Sequence, residues 1–376
     1  MSAASTLCWF RPAPHIVDLL GLLGGRTSAA DLSLEQWDVL VRTARRLRLL
    51  GTVAYRLRAD SDQWAAVPGP VRAHFESALT TLAFRRQKVL LEMDSVRQAL
   101  SDPAIPIVLL KGAAYIAQNL PLAHQRLVGD LDLLVDRDRL DEVETRLIDS
   151  GWESLKPDPY DQKYYRDWSH ELPPMQLPGH ALELDVHHNI LPPTGRLHPQ
   201  AAQLIRDAIP LEEGFFRVPH PADQVLHAAV HLFQDSDCLF RARDLVDIDE
   251  LIRNFGQTPS FWDELISHAR VHGIERPLWY ALDCGVAIFD TPVPNTLFEK
   301  LNTRGPGYAA RTMMRLLLPK VLFTEHPERT PAISERVARW LLFLRSFWLR
   351  MPLGLLLLHS AMKLIRNFRK TSERTE

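Results

Sequence analysis

The segment GDLDLLVD at residues 129–136 constrains the fold more than any other part of the chain. Asp130 and Asp132 alternate with Leu131 and Leu133, a period of two that predicts a β-strand with both carboxylates on one face. Two carboxylates within an apolar strand are costly to bury without a ligand or a counter-charge. The segment therefore predicts a strand that presents an acidic pair to a cationic ligand.

Two further segments predict strands of the same sheet. Residues 105–110, IPIVLL, form a β-branched apolar run, and Lys111-Gly112 with a helical pattern follows at once, as in a strand, tight turn and helix. In residues 181–188, ALELDVHH, the period of two places Asp185 on the polar face of a strand. Together the three segments predict a small mixed sheet.

The remaining segments carry helical patterns. Between residues 15 and 100, and again from residue 194 onwards, apolar residues recur at helical spacing. Residues 160–174, YDQKYYRDWSHELPP, are interpreted as a strand or loop. The sequence predicts an α+β fold, a small mixed sheet flanked by N-terminal and C-terminal helical regions. The predicted units are an N-terminal helical region (1–100), the core with the sheet (101–195), a C-terminal helical domain (196–335) and a basic apolar helical tail (336–376).

Composition limits the class of protein. The 376 residues carry 44 Lys and Arg against 46 Asp and Glu, a net charge of -2, so no overall field favours nucleic acid. The spacing of Cys8, Cys238 and Cys284 fits neither a disulfide framework nor a zinc site. The N-terminal residues lack the pattern of a secretory signal. We therefore expect a cytoplasmic protein.

Three carboxylates in this pattern suit a two-metal phosphoryl-transfer site. Asp130 and Asp132 lie side by side on one strand and can bridge two divalent ions roughly 3.5–4 Å apart. Asp185 supplies the third carboxylate, which would ligate the ion that binds an acceptor hydroxyl and would help to remove its proton. Mg²⁺ is the expected ion, with Mn²⁺ in second place, because hard cations prefer carboxylate oxygens.

Two basic segments are candidates for binding a triphosphate. Lys111 and Gly112 lie at the predicted strand-to-helix turn, where free backbone N–H groups favour phosphate and glycine permits close approach. Arg126, shortly before Asp130, is a second candidate, because a guanidinium group matches phosphate oxygens in bidentate geometry. We therefore assign nucleotide binding to Lys111, Gly112 and Arg126.

The segment VLLKGAAYIAQNLPLAHQRLVGDLDLLV, followed by ELDVHHNI, resembles the bacterial family of poorly characterised nucleotidyltransferases within the polymerase-β-like superfamily. The superfamily pattern is a glycine turn, an Asp-x-Asp strand and a later single acidic residue on a strand. QVLHAAVHLFQDSDCLFRARDLVDIDELI resembles the helical segment that follows this core, so the resemblance covers roughly residues 15–255. The chain departs at the turn, where Lys111-Gly112-Ala113 replaces Gly-Gly or Gly-Ser.

The resemblance implies a magnesium-dependent enzyme that moves a nucleoside monophosphate from a nucleoside triphosphate, with ATP as the candidate donor, to a hydroxyl-type acceptor. A small molecule is favoured as acceptor over nucleic acid, because no basic patch with interleaved aromatics flanks the core. The alternative is a catalytically inactive nucleotide-binding or scaffold protein with the same fold, suggested by the missing serine in the turn. A glycosyltransferase, which also uses an Asp-x-Asp pair, would need a larger sheet before residue 129.

Glu183 and His187 share the predicted face of Asp185 but stay outside the predicted metal set, because an edge strand with a solvated face explains them equally well. His227 and His231 have metal-ligand spacing on a helix. Without the glutamate of an H-E-x-x-H motif, we interpret them as core or interface histidines.

Arg241 and Arg243 could face the triphosphate from the helical domain. A solvated charged face is the commoner place for such residues, and it is the interpretation that we prefer.

Residues 336–372 carry eight Lys or Arg and no acid around an apolar middle, WLLFLRSFWLRMPLGLLLLHSAM. This composition suits a helix at a membrane surface or at a partner protein. Arg345 and Arg350 interrupt the apolar run, which leaves too few uncharged residues to span a bilayer. Packing against the helical domain is the preferred interpretation, and peripheral membrane or protein contact through residues 336–370 is the alternative.

Overall fold

One mixed sheet contains the seven strands of the described residues, which are 9–101, 105–234, 241–324, 326–352 and 354 of a computed structural model. The strands are Ile107–Leu109 (β1), Asp130–Leu134 (β2), Glu153–Ser154 (β3), Met175–Gln176 (β4), Glu183–His187 (β5), Ile209–Pro210 (β6) and Phe216–Val218 (β7). Their order is β3-β4-β5-β2-β1-β7-β6. Strand β2 runs parallel to β5 and antiparallel to β1, so the three predicted strands form the centre of the sheet.

Helices precede, connect and follow these strands, which confirms the predicted α+β class. Five precede the sheet: Pro14–Leu23 (α1), Leu34–Arg46 (α2), Leu50–Arg58 (α3), Ser61–Ala66 (α4) and Gly69–Ala99 (α5). Four lie between strands: Lys111–Ala117 (α6), Leu140–Asp149 (α7), Pro159–Trp168 (α8) and Ala201–Arg206 (α9). In the described part of the chain seven follow: Pro221–Gln234 (α10), Ala242–Phe255 (α11), Phe261–His272 (α12), Glu275–Phe289 (α13), Asn295–Leu301 (α14), Tyr308–Leu317 (α15) and Ile333–Arg350 (α16).

Capping and amphipathic spacing explain the N-terminal helices. Helix α2 begins after Ser33, whose hydroxyl accepts from the backbone N–H of Gln36 while the Gln36 side chain accepts from that of Ser33. This reciprocal cap supplies partners for two N–H groups that the helix itself leaves free. Trp37, Leu40 and Ala44 lie on one face of α2 and are buried, as their spacing predicts.

Helix α3 fixes the N-terminal helices against the core. The Thr52 hydroxyl donates to the backbone carbonyl of Gln125 at 3.1 Å, and Arg56 forms a 2.5 Å ion pair with Glu250 of α11. Both contacts are at least partly buried, so they restrict the segment that leads into Asp130.

Helix α16 closes the end of α10. Arg345 donates to the carbonyl of Phe233, and Arg350 donates to the carbonyl of Gln234, each at 2.8 Å. The last carbonyls of a helix have no partner within it, and positive charge is favourable at that end. The two arginines that interrupt the apolar run therefore cap α10.

Two secondary-structure predictions were wrong. Residues 160–174 were predicted as strand or loop, but α8 occupies most of that segment, with Asp158 accepting from two N–H groups at its start. Residues 209–218 were predicted to be helical, but they form β6 and β7, and β7 pairs with β1. Strands of two or three residues depend on pairing with a distant segment, which local periodicity does not show. The four-part domain division stays a prediction.

The predicted tail is described only as far as α16, residues 351–352 and residue 354; residues 353 and 355–376 lie outside the described part of the chain. Helix α16 buries Ala338, Leu342 and Ser346 on one face, as the packing interpretation predicts, but it exposes Trp340 and Trp348. In the described part of the chain, every helix is too short or too polar to cross a membrane. Membrane or protein contact through this segment stays a prediction.

Candidate active site

The pairing of β2 with β5 brings the three predicted carboxylates together. Asp132 lies directly opposite Asp185 in the parallel register, and Asp130 lies opposite Glu183. Neighbouring strands are about 4.8 Å apart, so the side chains of Asp132 and Asp185 leave the same face as close neighbours. One ligand atom from each of Asp132, Asp185 and His187 can be chosen so that all lie within 4.8 Å of one another.

Asp132 is the buried and neutralised member of the group. It is 2% exposed, its Oδ1 accepts from Lys111 Nζ at 2.8 Å, and the same oxygen lies 3.0 Å from His187 Nε2. Burial raises the pKa of Asp132, but the charges and hydrogen bonds of Lys111 and His187 outweigh it and hold that pKa well below its ordinary value. Asp132 is therefore ionised throughout the neutral range.

Asp185 has the opposite electrostatics. Burial, and next the charge of Asp132, raises the pKa of Asp185 to about 7. Its Oδ1 is buried and accepts no hydrogen bond from the described residues. The charge of Asp132, followed by burial, also raises the pKa of Asp130. Three carboxylates that oppose one another's ionisation, one with an unpartnered oxygen, fit the donor set of a divalent cation.

Lys111, whose side chain donates to Asp132, lies at a strained turn. Lys111 is the first residue of α6 and has a φ of +44°, a conformation that L-residues other than glycine rarely adopt. A Cβ on Gly112 would lie 2.7 Å from Val128 Cγ2, so glycine is required here for close packing against the segment before β2. The predicted role of Gly112 beside a phosphate stays a prediction, and so does that of Lys111.

Arg126 lies beside the site, and an ion pair with the helical domain holds its side chain. Its Nη1 is 2.9 Å from Asp247 Oδ2 of α11, and its guanidinium group lies 5.5 Å from the ring centre of Tyr115. The charges of Arg126 and Arg243 reach Asp130 and oppose the rise of its pKa. The predicted phosphate contact of Arg126 stays a prediction, and it requires that the guanidinium group be shared with Asp247.

The interpretation of Arg241 and Arg243 as solvated residues was wrong. Their side chains are only 19% and 13% exposed. Arg241 forms a 2.7 Å ion pair with Asp244, and Arg243 donates to the carbonyl of Leu127 at 3.0 Å. Helix α11 thus carries positive charge to the segment that enters β2.

For His187 the sequence left a place in the site and a solvated edge strand equally open, and the structure excludes the solvated edge. Strand β5 pairs with both β2 and β4, and the His187 side chain is 3% exposed. Its Nδ1 lies 3.4 Å from Glu171 Oε2. Burial lowers the pKa of His187, but the hydrogen bond to Asp132 and the charge of Glu171 outweigh it, so the pKa is raised.

Alternation had placed His187 on the face of Asp185, so a signal for it existed. Glu171 had no local signal, because it reaches the site through an isolated bridge to His187. His227 is buried, as the core interpretation predicts, whereas His231 is partly exposed and borders a cavity.

This cavity, with a volume of about 380 Å³, opens beside Lys111, Glu171 and His187. The pKa of Tyr165 in its wall is raised to about 12 by burial and by the charges of Glu171 and Asp185. Three helices contribute to the walls, with Tyr164, Tyr165 and Trp168 of α8, Val230, His231 and Gln234 of α10, and Phe347 and Arg350 of α16.

A family model described as uncharacterised nucleotidyltransferase matches residues 33–290. The match covers more than half of the chain and includes the whole sheet with Lys111, Asp130, Asp132 and Asp185. The chain belongs to this uncharacterised nucleotidyltransferase family, which confirms the resemblance inferred from its sequence. Nucleotidyl transfer is the general activity that the family indicates. No match was found among curated proteins or among solved structures.

Proposed function

We propose that the protein is a magnesium-dependent nucleotidyltransferase. It transfers a nucleoside monophosphate from a nucleoside triphosphate, with ATP as the candidate donor, to a hydroxyl group on a small-molecule acceptor, and it releases pyrophosphate. The observation that carries this proposal is Asp185, a carboxylate with a buried, unpartnered oxygen directly opposite Asp132. We place this activity in the cytoplasm.

The three carboxylates would have different roles in the transfer. Asp130 and Asp132 would hold the triphosphate-bound Mg²⁺, and Asp132 and Asp185 would hold the ion on the acceptor side. Bound there, the ions would supply neutralisation of the triphosphate and a lower pKa of the acceptor hydroxyl. Asp185 is suited to accept the hydroxyl proton, because its Oδ1 is buried and accepts no hydrogen bond from the described residues.

Positive charge for the triphosphate comes from two sides of the carboxylate group. The Lys111 ammonium group is 2.8 Å from Asp132, so an oxygen of the triphosphate held beside Asp132 falls within its reach. Arg126 supplies a second charge near Asp130. Gly112 keeps the backbone of this turn free of side-chain bulk.

The cavity supports a small acceptor. A volume of about 380 Å³ lies within the range of small-molecule pockets, and aromatic walls suit a ring that stacks or packs on them. The acceptor would lie beside Tyr165, Glu171 and His187, which line the cavity. The α16 part of the wall lies outside the residues that the family model matches, so family membership does not determine the acceptor.

Incubation of the protein with each labelled nucleoside triphosphate and Mg²⁺ in a lysate of the source cells, followed by mass spectrometry, tests donor, acceptor and activity together. We expect one adduct that carries a nucleoside monophosphate. Asp185→Asn should lower its rate of formation at least about 100-fold, because it removes the proton acceptor and a metal ligand.

The matched control is Asp141→Asn, an exposed aspartate on α7 away from the carboxylates, which should retain the full rate. Unchanged transfer by Asp185→Asn and Asp130→Asn would contradict the mechanism. Metal-dependent triphosphate binding without any adduct would favour a nucleotide-binding scaffold instead.

A further inference from the structure

We propose that His187 is a direct ligand of the ion held between Asp132 and Asp185, and that its imidazole makes this position prefer Mn²⁺ to Mg²⁺. This inference rests on the proposed function, because it concerns the acceptor-side ion of the same site. It departs from a set of three carboxylates, which is all that the sequence predicted.

The first support is the position of the imidazole. His187 follows Asp185 by two residues on β5, so both side chains leave the same face of the strand. His187 Nε2 lies 3.0 Å from Asp132 Oδ1, and a ligand atom of Asp185 lies within 4.8 Å of both. Ligand atoms that share an ion at about 2.0–2.2 Å are themselves separated by roughly 3–4 Å. Little movement is therefore needed for all three to bind one cation.

The second support is the group behind the ring. A metal-bound histidine usually donates its other N–H to a carboxylate, which fixes the tautomer and leaves the first nitrogen free for the ion. His187 Nδ1 is buried and makes no hydrogen bond with the described residues, and Glu171 Oε2 lies 3.4 Å from it. The β-bridge between these two residues keeps the glutamate close enough to accept from Nδ1 after a small shift. His170 packs against the same ring, with 5.2 Å between ring centres. The His187 ring is thus oriented toward Asp132 from behind and from one side.

The third support is the chemistry of the donor set. Mg²⁺ strongly prefers an octahedron of oxygen ligands and is reluctant to lose its water, whereas a first-row transition-metal cation such as Mn²⁺ accepts a nitrogen ligand more readily. A set of two carboxylates and one imidazole therefore favours Mn²⁺ over Mg²⁺. The position near Asp130 has only carboxylate donors from the described residues and remains suited to Mg²⁺ with the triphosphate.

A competing role for His187 is that of a buried counter-ion to Asp132. Lys111 already donates to the same Asp132 oxygen at 2.8 Å, so that oxygen has a second cationic partner independent of the imidazole. As a counter-ion His187 would remain protonated at Nε2 and would have no lone pair for the metal. The two roles differ in one observable, a bond between the ion and nitrogen.

Mn²⁺ titration of the full chain followed by electron paramagnetic resonance tests this bond. Electron spin-echo modulation detects ¹⁴N coordinated to Mn²⁺. We expect imidazole ¹⁴N modulation in the wild type and its loss in His187→Gln. His187→Gln should also weaken Mn²⁺ binding at least about 10-fold while Mg²⁺ binding, measured by calorimetry, changes less than about 3-fold.

His188→Gln is the matched control, because it removes the adjacent imidazole, which is also buried at 7% exposure. It should keep the ¹⁴N signal and the preference for Mn²⁺. Glu171→Gln leaves His187 in place and should keep the ¹⁴N signal but weaken Mn²⁺ binding about 10-fold. Thermal unfolding of each variant verifies that it is folded. If His187→Gln does not fold, the Mn²⁺ affinity of Glu171→Gln tests the inference in its place.

Absence of ¹⁴N modulation, absence of Mn²⁺ binding to the wild type, or an unchanged ratio of Mn²⁺ to Mg²⁺ affinity in His187→Gln would each overturn the inference. The proposed function fails separately. Full transfer activity in Asp185→Asn contradicts that function whatever the ¹⁴N signal, whereas normal transfer without the ¹⁴N signal overturns only the role of His187.

Discussion

Two buried groups of carboxylate and imidazole in this protein use the same residue types with opposite electrostatics. In the sheet, Asp132 and Asp185 meet His187; in the helical region, Asp223 of α10 meets His268 and His272 of α12. In the helical group one carboxylate serves two imidazoles: Asp223 Oδ1 lies 2.8 Å from His268 Nδ1 and 3.3 Å from His272 Nε2. The sheet group has several carboxylates for one imidazole and one lysine. An excess of buried negative charge, and not the presence of Asp and His, distinguishes the candidate active site.

The pKa directions express this difference. Burial raises the pKa of Asp223, but hydrogen bonds and charge from His268 and His272 lower it by more. For Asp185, burial and the charge of Asp132 outweigh the charge of His187, and its pKa rises to about 7. Gln200 also donates its backbone N–H to His272 Nδ1 at 3.2 Å, which leaves the ring proton on the nitrogen that faces Asp223. That nitrogen has no lone pair for a metal, so the helical group is a structural one.

The largest expected effect is on catalysis. Asp132→Asn should lower kcat/KM for nucleotidyl transfer at least about 100-fold, because it removes a ligand shared by both ions. Asp223→Asn should change kcat/KM, calculated per folded protein, less than about 3-fold. Steady-state kinetics on both variants provide the measurement. Equal losses of kcat/KM in the two variants would contradict the assignment of one group as catalytic and the other as structural.

The next effect is on stability, and its sign should differ between the groups. The pKa of Asp185 is raised on folding, so its ionisation costs stability above about pH 7 and costs nothing below its ordinary pKa. Asp185→Asn should therefore stabilise the protein at pH 8 with chelator present, by roughly 1–2 kcal/mol.

The pKa of Asp223 is lowered on folding, so its charge contributes stability above its ordinary pKa that is lost as the pH falls through the folded value. Asp223→Asn should destabilise the protein at pH 8 by a similar amount. Urea unfolding of both variants at pH 4 and pH 8 measures the two signs, and a destabilised Asp185→Asn at pH 8 would contradict the electrostatic account.

The smallest effect concerns His268. The hydrogen bond and charge of Asp223 raise the pKa of His268 although burial opposes them. A group with a raised folded pKa contributes stability that is complete below its ordinary pKa and disappears as the pH rises through the folded pKa. His268→Gln should therefore cost about 1 kcal/mol at pH 5.5 and less at pH 9. A cost that does not vary between these pH values would show that the ring acts through packing alone.

The alternation of polar and apolar residues was sufficient to predict those site residues whose position depends on a single strand. Alternation placed Asp130 and Asp132 on one face and Asp185 on another strand, and the pairing of β2 with β5 completed the site that this pattern requires. His187 was on the right face, but its burial depends on β4 covering β5, which no local pattern shows.

Residues that act through distant partners could not be found in this way. Glu171 reaches His187 through an isolated bridge, and Arg126 is held by Asp247, which lies on α11. Each of these contacts is fixed by how helices and loops pack on the sheet, since charge and periodicity along the chain do not specify which separate segment a residue will meet. The carboxylates were therefore predictable, and the charges that tune them were not.

The capping of α10 by Arg345 and Arg350 sets an order of events during synthesis. Strands β2 and β5, which carry the acidic residues, leave the ribosome well before α16, whose arginines secure α10 and whose Phe347 forms part of the cavity wall. At ordinary rates of translation the interval is on the order of 10 s. During that interval the nascent chain can assemble its acidic residues while the cavity beside them still lacks the wall that α16 contributes. The enclosed cavity is thus the last part of the candidate site to form.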